Sequence, residues 1–170
     1  MQHDRSITRS RIRKATFGDI PALCGLMREA HKRSRYCALA GFSEQRAKAR
    51  LMNAIQRDGG QHEGSTFVAV SEHGEKGIDA LIIGLLQSIY ELSDDLEATD
   101  YFWYAAPGAS ATSAKRLLRV MHKWAAACPK VVLIRQANTD AIVSPERSGR
   151  ILTSQGMRLT GNIYEKELGK

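Results

Sequence analysis

Apolar residues recur at helical intervals in several stretches of the chain and at strand intervals in most of the remainder. Arg11 to Ala15 alternates as a first strand would, and Thr16-Phe17-Gly18-Asp19 then supplies turn and helix-start chemistry. Asp19 is placed to accept backbone N–H groups, and Pro21 suits a first helical turn. Ile20, Leu23, Cys24, Met27 and Ala30 follow at spacings of three and four, opposite Arg28, Glu29 and Lys32, which predicts an amphipathic helix. Ser34 to Phe42 breaks that pattern. Ser43 then opens a second helix with a buried stripe of Ala47, Leu51, Ala54 and Ile55, ended by Asp58-Gly59-Gly60. Ser65 to Ser71 and Asp79 to Tyr90 are rich in β-formers and flank a polar turn, so they read as a hairpin.

Beyond an acidic connection, Glu91 to Glu97, the segment Thr99 to Ala106 reads as a strand dense in aromatics, stopped by Pro107-Gly108. A small-residue loop leads from it into the strongest helical signal of the chain. There Ala114, Leu117, Leu118, Met121, Trp124, Ala125 and Cys128 share one face, with Lys115, Arg116, Arg119, His122 and Lys123 on the other. Lys130 to Gln136 is a continuous apolar run of the kind buried on both faces of a sheet. Pro145 to Gln155 predicts a last helix closed by Gly156, and Met157 to Leu168 a final β-segment.

No repeat, low-complexity tract or linker interrupts this order, so one domain over residues 11–170 is expected behind a flexible basic arm, residues 1–10. The 170 residues, 43% apolar and 25% charged, have ordinary globular proportions. No apolar run reaches the roughly 18 to 20 residues of a membrane span, and the N-terminus holds no secretory signal, so a cytoplasmic protein is expected. Cys24, Cys37 and Cys128 are an odd, widely spaced set and read as free thiols. The histidines show no metal-ligand spacing, and no metal is expected. Charge is uneven: residues 1–57 carry 13 Lys/Arg against 4 Asp/Glu, residues 58–100 carry 1 against 10, and residues 101–170 carry 11 against 4. Such basic blocks suit polyanions, but they are not interleaved with aromatics, which argues against nucleic acid.

The order β-α-α-β-β-β-α-β-α-β resembles that of the GNAT (GCN5-related N-acetyltransferase) superfamily from Ile12 to Leu168. Most telling are Pro145-Glu146-Arg147-Ser148-Gly149-Arg150-Ile151-Leu152, Gln155-Gly156-Met157 and Gly161-Asn162-Ile163-Tyr164-Glu165-Lys166-Glu167-Leu168, which look like the family's closing helix, Gly-apolar turn and last strand. Ile12-Arg13-Lys14-Ala15-Thr16 with Asp19-Ile20 resembles its opening, and in detail the chain looks most like the short GNAT proteins of bacteriophage and prophage. The resemblance implies an α/β fold with a central mixed β-sheet flanked by about four helices. It further implies acetyl-CoA as co-substrate and a small-molecule or protein amine as acceptor.

The strand-loop-helix junction at 107–114 would present helix amides to a pyrophosphate. On the resemblance, Ala105 and Ala106 hold the pantetheine, and Ala109, Ser110, Thr112, Ser113 and Ala114 hold the pyrophosphate. The family's Arg/Gln-x-x-Gly-x-Gly/Ala pattern meets Ala109, Thr112 and Ala114 here, so only the last position conforms. Its tyrosine acid falls on Leu152, which has no proton to give. Asp100 and Tyr104 are the catalytic candidates, with Glu97 beside them; simple alternation lets Asp100 and Tyr104 share one face of the strand, and the bulge that the resemblance implies would shift that parity. The competing expectation is a catalytically inactive GNAT-fold binding or structural protein, such as a phage particle component. A homodimer or phage particle proteins are the further partners expected, and virion association would go with that alternative.

Overall fold

The computed structural model describes residues 10–110 and 112–168; the expected basic arm lies outside the described residues except for Ser10. Ser10 itself is buried and held by the Arg116 guanidinium, which donates to its carbonyl at 2.7 Å. Strands β1 (Arg11–Lys14), β2 (Thr66–Glu72), β3 (Ile78–Ser88), β4 (Leu96–Ala105) and β5 (Val131–Arg135) form one sheet in chain order. The first four are antiparallel neighbours, and β5 joins β4 in parallel. Four α-helices accompany them: α1 (Ile20–Arg33), α2 (Glu44–Gln56), α3 (Ser113–Ala126) and α4 (Pro145–Thr153). A parallel pair needs a crossover, and α3 provides it.

The sheet is covered on both faces. Val68, Val70, Leu81, Ile83 and Tyr104 pack against Leu23, Met27 and Leu51 of α1 and α2, while Phe67, Ala69, Ala80 and Ile82 pack against Leu117, Leu118, Met121 and Leu152 of α3 and α4. Burial on both sides is why β2 and β3 carry continuous apolar runs instead of alternating ones. Close approach of α3 depends on Gly84, where a β-carbon would lie 3.0 Å from Met121 Cγ and 3.2 Å from the Trp124 ring. Cys24 and Cys128 are buried free thiols, as their helical faces require, and Cys37 is exposed.

The corner between β1 and α1 is locked by charge. Asp19 turns its carboxylate back instead of toward the helix amides, accepting from the Thr16 amide at 2.8 Å and from both Arg13 terminal nitrogens at 2.8 and 2.9 Å. The Arg13 Nε also donates to Glu72 on β2 at 3.0 Å. This guanidinium, helped by the Thr16 bonds, pulls the Asp19 carboxyl down to about 2. At α2 the Ser43 hydroxyl accepts from the Arg46 amide at 3.3 Å, an N-cap of the expected kind.

Three expectations are corrected. The strand placed at Thr99 begins at Leu96, because Glu97 enters the sheet by accepting from Gln87 at 2.7 Å and pairing with Arg135 at 3.1 Å. The run Lys130 to Gln136 is not buried on both faces: Val132 is 60% and Leu133 40% exposed, since no strand among the described residues lies beyond β5. The reason is the third correction, that Met157 to Leu168 forms no strand. After Gly156, at φ 85°, this segment is tied instead to the end of α1, where Glu165 pairs with Arg35 and accepts from the Tyr36 hydroxyl at 2.8 Å. No helix among the described residues is long and apolar enough to cross a membrane.

Candidate functional site

The candidate residues of β4 lie where β4 and β5 part. Their parallel pairing runs from Leu96 opposite Val131 to Thr99 opposite Arg135 and then stops, while β4 continues to Ala105. From Asp100 onward this edge of β4 has no strand partner among the described residues. Its other edge stays paired to β3 as far as Ala80 opposite Ala105. The strand therefore carries a row of backbone N–H and C=O groups with no strand beside them, the arrangement into which an extended chain adds as a further strand.

A bulge sits where the two strands part. Gly84 pairs with Asp100 and Ile83 with Phe102, so Tyr101 is the extra residue. One inserted residue reverses the alternation of everything before it. Asp100 therefore lies on the α3 side, while Tyr104 lies in the α1–α2 core. The alternation expected to put both on one face fails here, and the bulge is the physical cause.

On the α3 side, Gln136 Nε2 donates to Asp100 Oδ1 at 3.2 Å, and Gln136 Oε1 lies 2.9 Å from His122 Nε2. An amide oxygen only accepts, so His122 carries its proton on Nε2 in this arrangement. Burial without a bonded cation pushes the Asp100 carboxyl above its ordinary value, and the Gln136 bond only partly offsets this. The network is a carboxylate with enhanced proton affinity, oriented by an amide that is itself oriented by an imidazole. Gln136 and His122 are the residues that sequence reasoning missed. Gln136 closes the apolar run 130–136 and His122 lies on the polar face of α3, and neither position carries a local signal for such a role.

Tyr104 is buried, and its hydroxyl donates to Glu29 of α1 at 3.2 Å. Burial and the Glu29 carboxylate push its hydroxyl up to about 12, so it stays protonated at neutral pH. Glu97, the third candidate, is almost wholly buried and committed to Gln87 and Arg135.

At the far end of β4 the chain turns through Gly108, at φ 84°, and enters α3. Ala105 and Ala106 are half-buried; Ala109 donates its amide to Ala106 at 3.0 Å, and the Ser110 and Thr112 hydroxyls lie 3.1 Å apart. Ser113 is fully buried with its hydroxyl 2.9 Å from that of Ser71 on β2, so its side chain anchors the helix start to the sheet. Trp103 Nε1 donates to the Ala114 carbonyl at 3.1 Å and braces the same turn from β4. Thr112, at the N-cap, makes no side-chain cap bond, and no acid stands in the first turn. Such a helix start favours an anion. Ala111 lies outside the described residues.

No family model matches the sequence, and no curated protein matches it significantly. Solved structures do resemble it. An acetyltransferase of Trypanosoma brucei is 12% identical, with a TM-score of 0.67 over 94% of this chain and 100% of that one. Glucosamine-6-phosphate N-acetyltransferase of Arabidopsis thaliana is 10% identical, with a TM-score of 0.67 over 94% of this chain and 99% of that one. A transcriptional regulator of Bacillus halodurans, 12% identical, matches with the same score over 94% and 100%. The chain has the GNAT fold.

At such low identities the likeness concerns shape alone, and the side chains must argue the chemistry. Leu152 is buried against Leu117, Leu118 and Met121, so the position where a tyrosine acid was looked for belongs to the core.

Proposed function

We propose that this GNAT-fold chain is an acetyl-CoA-dependent N-acetyltransferase acting on an amine. The observation that carries the reading is the six-residue stretch of β4 from Asp100 to Ala105, open along one edge, bulged at its mouth and ending at the uncapped start of α3. An extended pantetheine arm would hydrogen-bond along that edge as far as Ala105 and Ala106. Its pyrophosphate would then rest on the amides and hydroxyls of Ser110, Thr112 and Ala114; the Ala109 amide is already given to the Ala106 carbonyl and closes the turn, and Ser113 fixes it from behind. Thr112, where the family pattern has glycine, narrows this seat and adds a hydroxyl donor in exchange.

In the reaction the amine nitrogen attacks the thioester carbonyl carbon, the C–S bond breaks, and coenzyme A leaves as its thiolate. Asp100 would take the proton shed by the amine, directly or through one water. Its raised proton affinity brings it closer to the task than an ordinary aspartate. Gln136 and His122 are positioning residues for that carboxylate. Tyr104 would hold Glu29 at the α1 wall and lend a protonated hydroxyl to that side. With Leu152 buried, the thiolate takes its proton from solvent. Holding amine and thioester together supplies much of the rate without a dedicated acid.

Saturating acetyl-CoA is expected to raise the melting temperature, since a ligand bound only by the native state stabilises it. Release of free thiol with a panel of amines then reads the transfer. A flat melting curve would discard the reading. A second reading, a catalytically silent binding or virion protein of the same fold, is favoured by Leu152 and Thr112 standing at expected catalytic and glycine positions. Acetyl transfer to any amine would remove it.

A further inference from the structure

Beneath α2, on the face of the sheet away from α3, lies a groove of about 440 Å³ walled by Arg46, Arg50, Asn53 and Arg57 and by Thr66 and Tyr101 of the sheet. The four α2 positions follow one another at intervals of four, three and four, so they form a single row along one side of the helix and its cap. Ile83 and Leu85 make an apolar floor, and no carboxylate lines the groove. Arg13, Arg28, Arg35 and Arg135 each pair with an acid, and Arg116 holds Ser10. Arg46, Arg50 and Arg57 have no acidic partner among the described residues, as is also true of Arg11, Arg33, Arg119, Arg147, Arg150 and Arg158, but these three share one groove wall. Three guanidiniums aligned on one helix face repel one another, and an anion in the groove would relieve the repulsion.

The row also reaches the bulge of β4. The Arg50 guanidinium lies over the Tyr101 ring, 5.5 Å from its centre, and Tyr101 is the bulged residue next to Asp100. Guanidinium forks match carboxylate and phosphate oxygens two at a time, and apolar floor with cationic wall suits a compact organic acid. We propose that this groove binds a small molecule carrying a carboxylate or phosphate. Resting on the acetyltransferase reading, that molecule is the amine acceptor, held by its acidic end on the face of the sheet opposite the Asp100 carboxylate, so that its amine meets the base only where β4 and β5 part.

The test is calorimetric titration of the full chain, saturated with coenzyme A, with citrate and separately with inorganic phosphate. Coenzyme A fills the pyrophosphate seat, and the two probes separate carboxylate from phosphate recognition. Binding is expected for at least one, weakened about tenfold or more in Arg50→Gln and in Arg46→Gln, and unchanged in Lys48→Gln. In transfer assays an amino acid should be preferred over its own amide, and Arg50→Gln should erase that preference. The proposal is overturned if neither probe binds, if Lys48→Gln weakens binding as much as Arg50→Gln, or if a 12-nucleotide single strand binds more tightly than either probe in an Arg50-dependent way. Arg50-dependent anion binding by a chain that takes up no acetyl-CoA would uphold the groove and remove the acetyltransferase reading.

Discussion

The β1–α1 corner and the parting of β4 from β5 each hold one aspartate, and the two carboxylates are moved in opposite directions. Asp19 accepts two bonds from Arg13 and is pulled down to about 2. Asp100 is bonded only to the neutral Gln136 amide and is pushed up by burial. A bonded cation is what one site has and the other lacks. The corner has spent its carboxylate on holding two elements together, whereas the parting keeps one whose affinity for a proton is unspent.

Asp100→Asn should have the largest effect, lowering kcat by about 10² to 10⁴ while leaving the acetyl-CoA-induced rise in melting temperature intact. Full kcat in this variant would place the base elsewhere. Gly84→Ala pushes a methyl group into Met121 and Trp124 opposite the bulge and should cost about 1–3 kcal/mol, read from urea unfolding. An unchanged midpoint would mean that α3 yields freely there.

Asp19→Ala should cost about 1–2 kcal/mol at neutral pH, the Arg13 bonds being partly screened. Asp19 is stabilising above its ordinary value of 3.8, and this contribution is lost as pH falls through about 2, so the gap to wild type should close across that window. The sign is opposite at Asp100. A folded value raised above 3.8 makes its contribution present in acid and lost as pH rises, so Asp100→Asn should melt higher than wild type at pH 7 and converge with it below pH 3.8. If both aspartate variants shift the same way with pH, the contrast between the two regions is wrong. The smallest effect is expected for Arg28→Ala, whose pair with Glu44 is exposed on both sides: under about 0.5 kcal/mol.

Legibility from sequence followed how much each element depends on its own residues. The α3 stripe, from Leu117 to Cys128, was readable because burial repeats with the helix's own period. The last strand was not, because Ile163, Tyr164 and their neighbours have strand character but strand formation needs a partner edge, and Glu165 finds Arg35 instead. Asp100 and Tyr104 were legible as residues, but their faces were not, since a bulge is a property of two paired strands and leaves no mark in one. Arg46, Arg50 and Arg57 were visible at helical spacing, yet exposed cations on a helix are ordinary until a sheet closes the other side of them.

The open edge of β4 also bears on how such a protein is recognised. Main-chain groups are supplied by every residue except proline, which lacks the donor, so a ledge built from them keeps its donors and acceptors whatever letters are written along it. Side chains along Tyr101–Ala105 and the turn beyond can then change wherever packing does not hold them, as it holds Trp103 and Tyr104, while the shape endures. A chain of this design drifts out of reach of sequence comparison long before its outline ceases to be familiar.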